Sequence, residues 1–181
     1  MNGEPYVFTV GHSTHAADRF EALLRAHRIE LLADVRRYPG SRRHPQFGAD
    51  SLSAALQGAG IAYQSFGEQL GGRRRSQHHS VNTGWRVAAF RAYADHMQTP
   101  EFAAGIERLE GLAQGRRAAI MCAEGDWRRC HRRLIADALL VRGWGVVHIR
   151  PDGGREEHEL TPFAVASGGR VTYPAQESLD A

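Results

Sequence analysis

The sequence contains no lysine; all 23 of its basic side chains other than histidine are arginine. Enzymes that form an imine with their substrate use a lysine amine, so that chemistry is excluded here except at the N-terminal amine. Arginine offers a planar, permanently charged fork that suits phosphate groups. The absence of lysine therefore removes one mechanism and leaves a basic repertoire suited to anions.

Cysteine is scarce and long apolar runs are missing. Cys122 and Cys130 could close only one small loop, which is a poor disulfide framework, so we expect reduced thiols in a reducing compartment. No stretch approaches the ~20 apolar residues of a membrane-spanning helix, and the start lacks the pattern of a signal peptide. We therefore expect a cytoplasmic protein without membrane contact. Its oligomeric state is not determined by the sequence.

Strand-like and helical patterns alternate along the chain. The runs YVFTV, IELLADV, AYQSF, AAIM and GVVHI predict strands. Helical spacing marks residues 16–27, 51–61, 86–97 and 100–114, and the segment that starts near Leu134. This alternation predicts a three-layer α/β domain around a mostly parallel sheet.

The chain shows no Pro/Gly/Ser-rich linker. We therefore expect a single domain over residues 1–181, with a polar extension over 151–181. Residues 67–85 have no periodicity and are predicted to be a loop. The segment GGRVTY predicts an extra strand or hairpin in the extension.

Polar side chains stand at the ends of three predicted strands. Because the carboxyl ends of parallel strands share one edge of a sheet, where ligands usually bind, these side chains define a candidate active site. They are His12 and Ser13, Asp34 and Arg36, and Cys122 and Glu124, joined by Cys130, His131 and Arg132 on the following helix. The alternative is structural: Asp34 and Arg36 form an ion pair, and His12 caps a turn.

The two cysteines allow two further interpretations. Cys122 opens a C-x-x-G-x-x-R pattern, which is typical of phosphate-binding loops in cysteine phosphatases and sulfurtransferases, although Glu124 and Asp126 would repel an anion there. Four metal ligands are conceivable from Cys122, Cys130, His131 and His12. The spacing C-x7-C-H is not a standard zinc arrangement, however, so we expect no metal and a core-packing role for both thiols.

Two loops mix basic and aromatic residues, as a nucleic-acid surface requires: arginines take the phosphates, and rings stack on an unstacked base. These loops, with polar residues of the strand ends, predict DNA as the partner. The predicted contact residues are Ser13, Arg36, Arg37, Tyr38, Ser41, Arg42, Arg43, Phe47, Arg73, Arg74, Arg75 and Arg132.

Six motifs in order resemble the domain of unknown function 488 family over about residues 6–149. They are Gly11-His12-Ser13; Asp34-Val35-Arg36 with Pro39, Ser41, Arg42, Pro45 and Phe47; Leu70-Gly71-Gly72; Phe90 with Tyr93-Ala94; Cys122-Ala123-Glu124; and Cys130-His131-Arg132. The resemblance implies a Rossmann-like domain. For some members it also implies excision of modified pyrimidines such as 5-hydroxymethyluracil from DNA. Gly125 and Arg128 are outside the family signature, which weakens the phosphatase interpretation.

The leading hypothesis is a monofunctional DNA glycosylase that needs no cofactor and uses water as nucleophile. Asp34 and Glu124 are the acid/base candidates, and His12 or His131 would hydrogen-bond the base or leaving group. The same residues would also suit a nucleotide or ADP-ribose. Two rivals stay open: a non-catalytic nucleic-acid or nucleotide-binding module, and a thiol-dependent phosphatase or sulfurtransferase.

Overall fold

A six-stranded sheet forms the centre of the computed structural model, which describes residues 3–176. Its strands are β1 (Tyr6–Gly11), β2 (Leu31–Asp34), β3 (Ala62–Ser65), β4 (Ala118–Cys122), β5 (Gly145–Ile149) and β6 (Arg155–Glu157). They lie in the order β3-β2-β4-β1-β5-β6. The first five are mutually parallel, and β6 is antiparallel to β5. Because β4 lies between β2 and β1, three strands distant in sequence end side by side.

Helices cover both faces of the sheet. They are α1 (Ala17–Ala26), α2 (Ala49–Gly58), α3 (Gly67–Leu70), α4 (Ala88–His96), α5 (Pro100–Ala113) and α6 (Arg132–Val141). Helix α5 has Pro100 in its first position, and the Thr99 side chain caps it by accepting from the Phe102 amide. Within residues 3–176, no helix is long and apolar enough to cross a membrane.

The strands bury alternate residues in two separate cores, as the two-residue period of a strand requires. Val7 and Ile120 belong to the core that includes residues of α4, α5 and α6. Phe8 and Met121 belong to the core under α1 and α2. The prediction of a three-layer, Rossmann-like α/β domain with a mostly parallel sheet is confirmed.

The structure differs from the sequence prediction at short elements. Residues 67–85, predicted to be a loop, contain a one-turn helix, α3. It was not predicted because four residues are too few to show a helical period. Helix α2 begins at Ala49, two residues before the start of the predicted segment at residue 51. Strand β6 was not predicted, since its residues are polar and it lies at an edge.

The C-terminal extension contributes to the core. The predicted hairpin is confirmed as β7 (Val165–Ser167) and β8 (Arg170–Thr172), joined by Gly168 and Gly169 at positive φ. Tyr173, just after it, is fully buried in the core that holds α4 and α6. The predicted extension also includes 177–181, which lie outside the described residues, as does the N-terminal amine.

Candidate active site at the carboxyl ends of β1 and β4

A cavity of about 670 Å³ opens where β1 and β4 end. The backbone ladder continues past both strands: the His12 amide donates to the Cys122 carbonyl at 2.9 Å, and Ser13 donates to Ala123 at 3.0 Å. On the other side of β4, Val35 donates to Met121 at 3.0 Å. The structure thus brings the three polar strand ends to one edge.

Gly11 allows the turn after β4 to cross directly over the end of β1. A Cβ atom at Gly11 would lie 1.9 Å from the Glu124 carbonyl oxygen, far inside contact distance. The approach is looser at Gly125 in that turn, where a Cβ would lie 3.1 Å from Ser13 Oγ. Residue 11 is therefore glycine because the backbone of the turn after β4 packs directly against the backbone at the end of β1.

We expect Gly11→Ala to destabilise the protein by about 2–3 kcal/mol, since the new methyl group must displace backbone. The matched control is Gly111→Ala in α5, where an added Cβ meets nothing within 4 Å. That change should stabilise the protein by about 1 kcal/mol through helix propensity. Urea unfolding of both variants measures the difference. Equal midpoints would contradict the close approach at Gly11.

His12 lines the cavity as a neutral ring. Its Nδ1–H donates to the Ser13 carbonyl at 2.9 Å, so the neutral ring has its lone pair on Nε2. Burial lowers the pKa of His12 to about 4, in spite of that hydrogen bond. His12 is therefore an acceptor or weak base near neutral pH.

Phe47 is not available to a nucleic acid, contrary to the prediction. Its side chain is 1% exposed and stacks on His12 with a centroid distance of 4.3 Å. Phe47 therefore packs against the imidazole of His12 and is not free to stack on a nucleobase. Tyr38 is the exposed ring of the loop, at 64%.

Asp34 forms the ion pair that was the structural alternative. Arg36 donates to Oδ1 from Nε at 2.9 Å and to Oδ2 from Nη2 at 2.7 Å, and the Tyr63 hydroxyl donates to Oδ2 at 2.6 Å. Both Asp34 and Arg36 are buried, and Asp34 does not line the cavity. The predicted role of Asp34 with water conflicts with this geometry, and the Arg36 guanidinium is occupied by Asp34, although Arg36 lines a smaller neighbouring cavity. Glu124, which is exposed and lines the cavity, is the remaining carboxylate.

Arg132 is also buried rather than facing a ligand, because its side chain anchors the turn after β4. It donates to the Glu124 carbonyl from Nη2, to Thr9 Oγ1 from Nη1 at 3.2 Å, and to Cys130 Sγ from Nε at 3.4 Å. Arg74 is similarly engaged with the carbonyls of Gly71 and Glu68. The prediction that Arg132 contacts DNA is wrong. The Arg74 side chain stabilises the loop in which it lies.

The other predicted contact residues remain accessible. Ser13 and Arg37 are partly exposed, and a larger group is exposed: Tyr38, Ser41, Arg42, Arg43, Arg73 and Arg75. Ser13 and Arg73 also line the cavity and have positive φ values of 50° and 57°. Non-glycine residues in this conformation cost of order 1 kcal/mol or more and cluster at functional sites.

The two thiols meet at the cavity together with His131. Nδ1 of His131 lies 3.7 Å from Cys130 Sγ and 4.0 Å from Cys122 Sγ. A hydrogen bond with Cys130, together with burial, raises the pKa of Cys122 well above its ordinary value. Burial alone would raise the pKa of Cys130 too, but Cys122, His131 and Arg132 together lower it well below. The directions of the two shifts make Cys130 the thiol of the pair that loses its proton first.

The arginine that a phosphate-binding loop would require does not face the cavity. Arg128, the last residue of C-x-x-G-x-x-R, pairs with Glu156 and lies over the Trp127 ring, 4.6 Å from its centroid. It does not line the cavity. Thiol-phosphatase chemistry is therefore not favoured.

Sequence reasoning missed a buried polar chain beneath the site. From Arg132 the hydrogen bonds continue through Thr9 to His148 (2.7 Å), His158 (2.9 Å) and Asp137 (2.8 Å). Arginine can only donate and an ionised carboxylate can only accept, so with both imidazole rings neutral every proton in this chain has one position. Two features of the sequence indicate this chain: His148 lies inside a predicted strand, and Asp137 lies among the apolar residues of α6.

Acid should destabilise the fold. Burial, with the nearby His158 and Arg132, lowers the pKa of His148 to about 2, and that of His12 is about 4. Below the ordinary histidine pKa of 6.5, these two side chains bind protons in the unfolded chain but not in the folded protein. The free energy of unfolding is therefore highest above that pH and decreases below it. We expect unfolding in urea to cost about 2–3 kcal/mol less at about pH 5.5 than at about pH 7.5.

His148→Gln tests this origin of the acid sensitivity. The variant should be less stable near neutral pH, yet a measurable part of the pH dependence should disappear, the rest coming from His12, His27 and His96, whose pKa values burial also lowers. The exposed His79→Gln is the control and should keep the full dependence. An unchanged slope in His148→Gln would show that other groups cause it.

The fold and site define a class: an α/β domain whose parallel strands end in a polar cavity with a carboxylate, imidazoles and paired thiols. The family model for a domain of unknown function, DUF488, matches residues 16–139, and the chain belongs to this family. The resemblance seen in the sequence is confirmed. Comparison with the curated proteins and with the solved structures gives no match.

Proposed function

We propose that this protein is a monofunctional DNA glycosylase that releases a modified pyrimidine, such as 5-hydroxymethyluracil, with water as nucleophile. The observation that carries the proposal is the exposed Glu124 carboxylate in the same cavity as the neutral His12. The cavity, at about 670 Å³, is within the ~300–1,000 Å³ typical of ligand sites. It has room for a base turned out of the duplex.

One wall of the cavity suits a flat ring. Phe90, which is partly exposed, lines it from α4, and the buried Tyr93 beside it is held by the hydrogen bond that its hydroxyl donates to the Leu70 carbonyl at 2.6 Å. Aromatic side chains stack on any unstacked base. Ser13 and His12 supply hydrogen-bonding groups on the facing strand end, as recognition of a pyrimidine edge requires.

The rim carries charge that suits phosphate. Arg43, Arg73 and Arg129 are exposed and line the cavity. A neighbouring cavity of about 200 Å³ is lined by Arg37, whose Nη1 is buried and has no hydrogen-bond partner within residues 3–176. A buried donor without an acceptor is costly, and a phosphate oxygen would satisfy it.

In the proposed reaction Glu124 takes a proton from water, and the water oxygen forms a bond to C1′ of the sugar. The bond from C1′ to the base nitrogen breaks, and its electron pair leaves on that nitrogen. The proton held by Glu124 then passes to the departing base. His12, with Nε2 as acceptor, orients the water or the base.

The test is incubation with duplexes that each carry one modified base, followed by alkali. Because the chain has no lysine, we expect an intact abasic site, strand breaks only after heat or alkali, and no adduct after borohydride. An imine-forming glycosylase is the positive control for trapping. An adduct formed in proportion to base release would assign catalysis to the N-terminal amine. Tight binding without any base release would instead favour the non-catalytic module.

A further inference from the structure

We propose that Cys122, Cys130 and His131 form a binding site for a thiophilic divalent metal ion of the Zn²⁺ type, with one coordination position open to the cavity. One ligand atom of each residue lies within 4.8 Å of the other two. The site was not expected from the sequence. It stands on ligand geometry and does not depend on the proposed glycosylase activity.

The distances match a tetrahedral ion. With zinc at about 2.3 Å from sulfur and about 2.0 Å from nitrogen, a tetrahedral angle places sulfur and nitrogen about 3.6 Å apart. The two observed separations, from His131 Nδ1 to the sulfurs of Cys130 and Cys122, are 3.7 and 4.0 Å. Binding needs these two separations to shorten by a few tenths of an ångström, and the two sulfur atoms, which lie within 4.8 Å of each other, to approach to about 3.8 Å.

His131 is already oriented as a metal ligand. Its Nε2 lies 2.9 Å from the Val35 carbonyl, which can only accept, so the neutral ring has its proton there and its lone pair on Nδ1. Metal-bound histidines usually donate their other ring nitrogen in this way. The space beside Nδ1 is free because residue 72 is glycine, where a Cβ would lie 3.1 Å from that nitrogen.

The surroundings of the cluster fit a site that reacts rather than one that only stabilises the fold. Structural zinc takes four protein ligands, whereas catalytic zinc takes three and keeps one position for water or substrate. All three residues line the larger cavity, and Cys122 and His131 also line the smaller one. Glu124, two residues after Cys122, shares the larger cavity and could exchange a proton with metal-bound water.

The three ligands come together, although their spacing is not a standard zinc spacing, because the chain folds back between Cys122 and Cys130. Standard zinc spacings describe ligands on one tight turn. Here Cys122 ends β4, and the segment up to Cys130 folds back through a short 3-10 helix, Trp127–Arg129. Arg132 fixes this return by donating to Cys130 Sγ and to the Glu124 carbonyl.

The experiment uses tag-free full-length protein and needs no substrate. After chelator treatment and dialysis against Zn²⁺, elemental analysis should give one metal per chain. Co²⁺ should give a thiolate charge-transfer band and the strong visible bands of a tetrahedral ion. Cys122→Ser and His131→Gln should each weaken Co²⁺ binding by more than about 100-fold, since loss of a ligand costs more than the 10–100-fold of an outer-shell change.

His78→Gln/His79→Gln is the matched control, because these exposed histidines are the obvious adventitious site. Circular dichroism of every variant separates loss of metal from loss of fold. The proposal is overturned if the wild-type protein shows no thiolate band with Co²⁺, or if the control variant loses the metal and the cysteine variant keeps it. Metal binding without base excision would refute the proposed function alone.

Discussion

Glu124→Gln should lower the rate of base release by about 10²–10⁴-fold, the usual contribution of a general acid or base. Glutamine keeps the size of the side chain and can still accept from the Asp126 amide, which donates to Glu124 Oε1 at 3.0 Å. The variant should therefore fold normally. DNA binding should be unchanged or slightly tighter, because a negative charge near phosphate is removed. Single-turnover base release and equilibrium binding, measured on one duplex, separate the two effects.

Asp126→Asn is the matched control for this result. Asp126 is exposed in the same turn and caps the short 3-10 helix by accepting from the Arg128 amide, a role that asparagine retains. Its activity should stay within a few fold of wild type. Full activity in Glu124→Gln would exclude Glu124 as the acid/base group. Catalysis at the metal site would then be the alternative, and absence of any base release in the wild type would favour the non-catalytic binding module.

Asp137→Ala should lower the melting temperature by about 10–15 °C. Asp137 is fully buried and accepts from His158 Nε2 at 2.8 Å, from the Thr161 amide at 3.0 Å and from the Tyr173 hydroxyl at 2.7 Å. Removing one partner of a buried charged network costs about 3–5 kcal/mol. In a domain of this size each kcal/mol moves the melting temperature by roughly 2–4 °C. Calorimetry or circular dichroism measures the shift.

The size of this effect has a specific origin. Burial and the charge of Asp137 raise the pKa of Tyr173 well above its ordinary value, so the hydroxyl remains a donor that needs its acceptor. Asp50→Ala, an exposed aspartate on α2, is the control and should change stability by less than about 0.5 kcal/mol. A loss below about 1 kcal/mol in Asp137→Ala would mean that the buried chain contributes little to stability.

The same chain connects stability to the cavity. It ends at Arg132, which anchors the Glu124 carbonyl and the Cys130 sulfur through side-chain hydrogen bonds. The His148 ring also stacks on Trp127, in the same turn, with a centroid distance of 3.9 Å. Asp137, His158 and His148 thus contact the cavity residues only indirectly, through Arg132 and Trp127.

The sequence by itself determined the layered architecture and the edge at which the site lies. Strand periodicity and the spacing of helices are local properties, so runs such as YVFTV and GVVHI were enough to predict a parallel α/β sheet. Once the sheet was parallel, the polar residues at His12, Asp34 and Glu124 had to share its carboxyl edge. The absence of lysine excluded imine formation by any side chain without any structure.

Only the tertiary structure decided which of those residues face the cavity. An arginine in sequence is simply a charge, and whether it meets phosphate depends on neighbours from distant segments. Arg36 is buried against Asp34, and Arg132 reaches Thr9 from 123 positions away. The same holds for Cys122, Cys130 and His131, whose meeting depends on a backbone reversal that has no sequence period. Periodic patterns record which side of an element is apolar, but side-chain partners are set by packing between elements, and the chemistry of this site arises there.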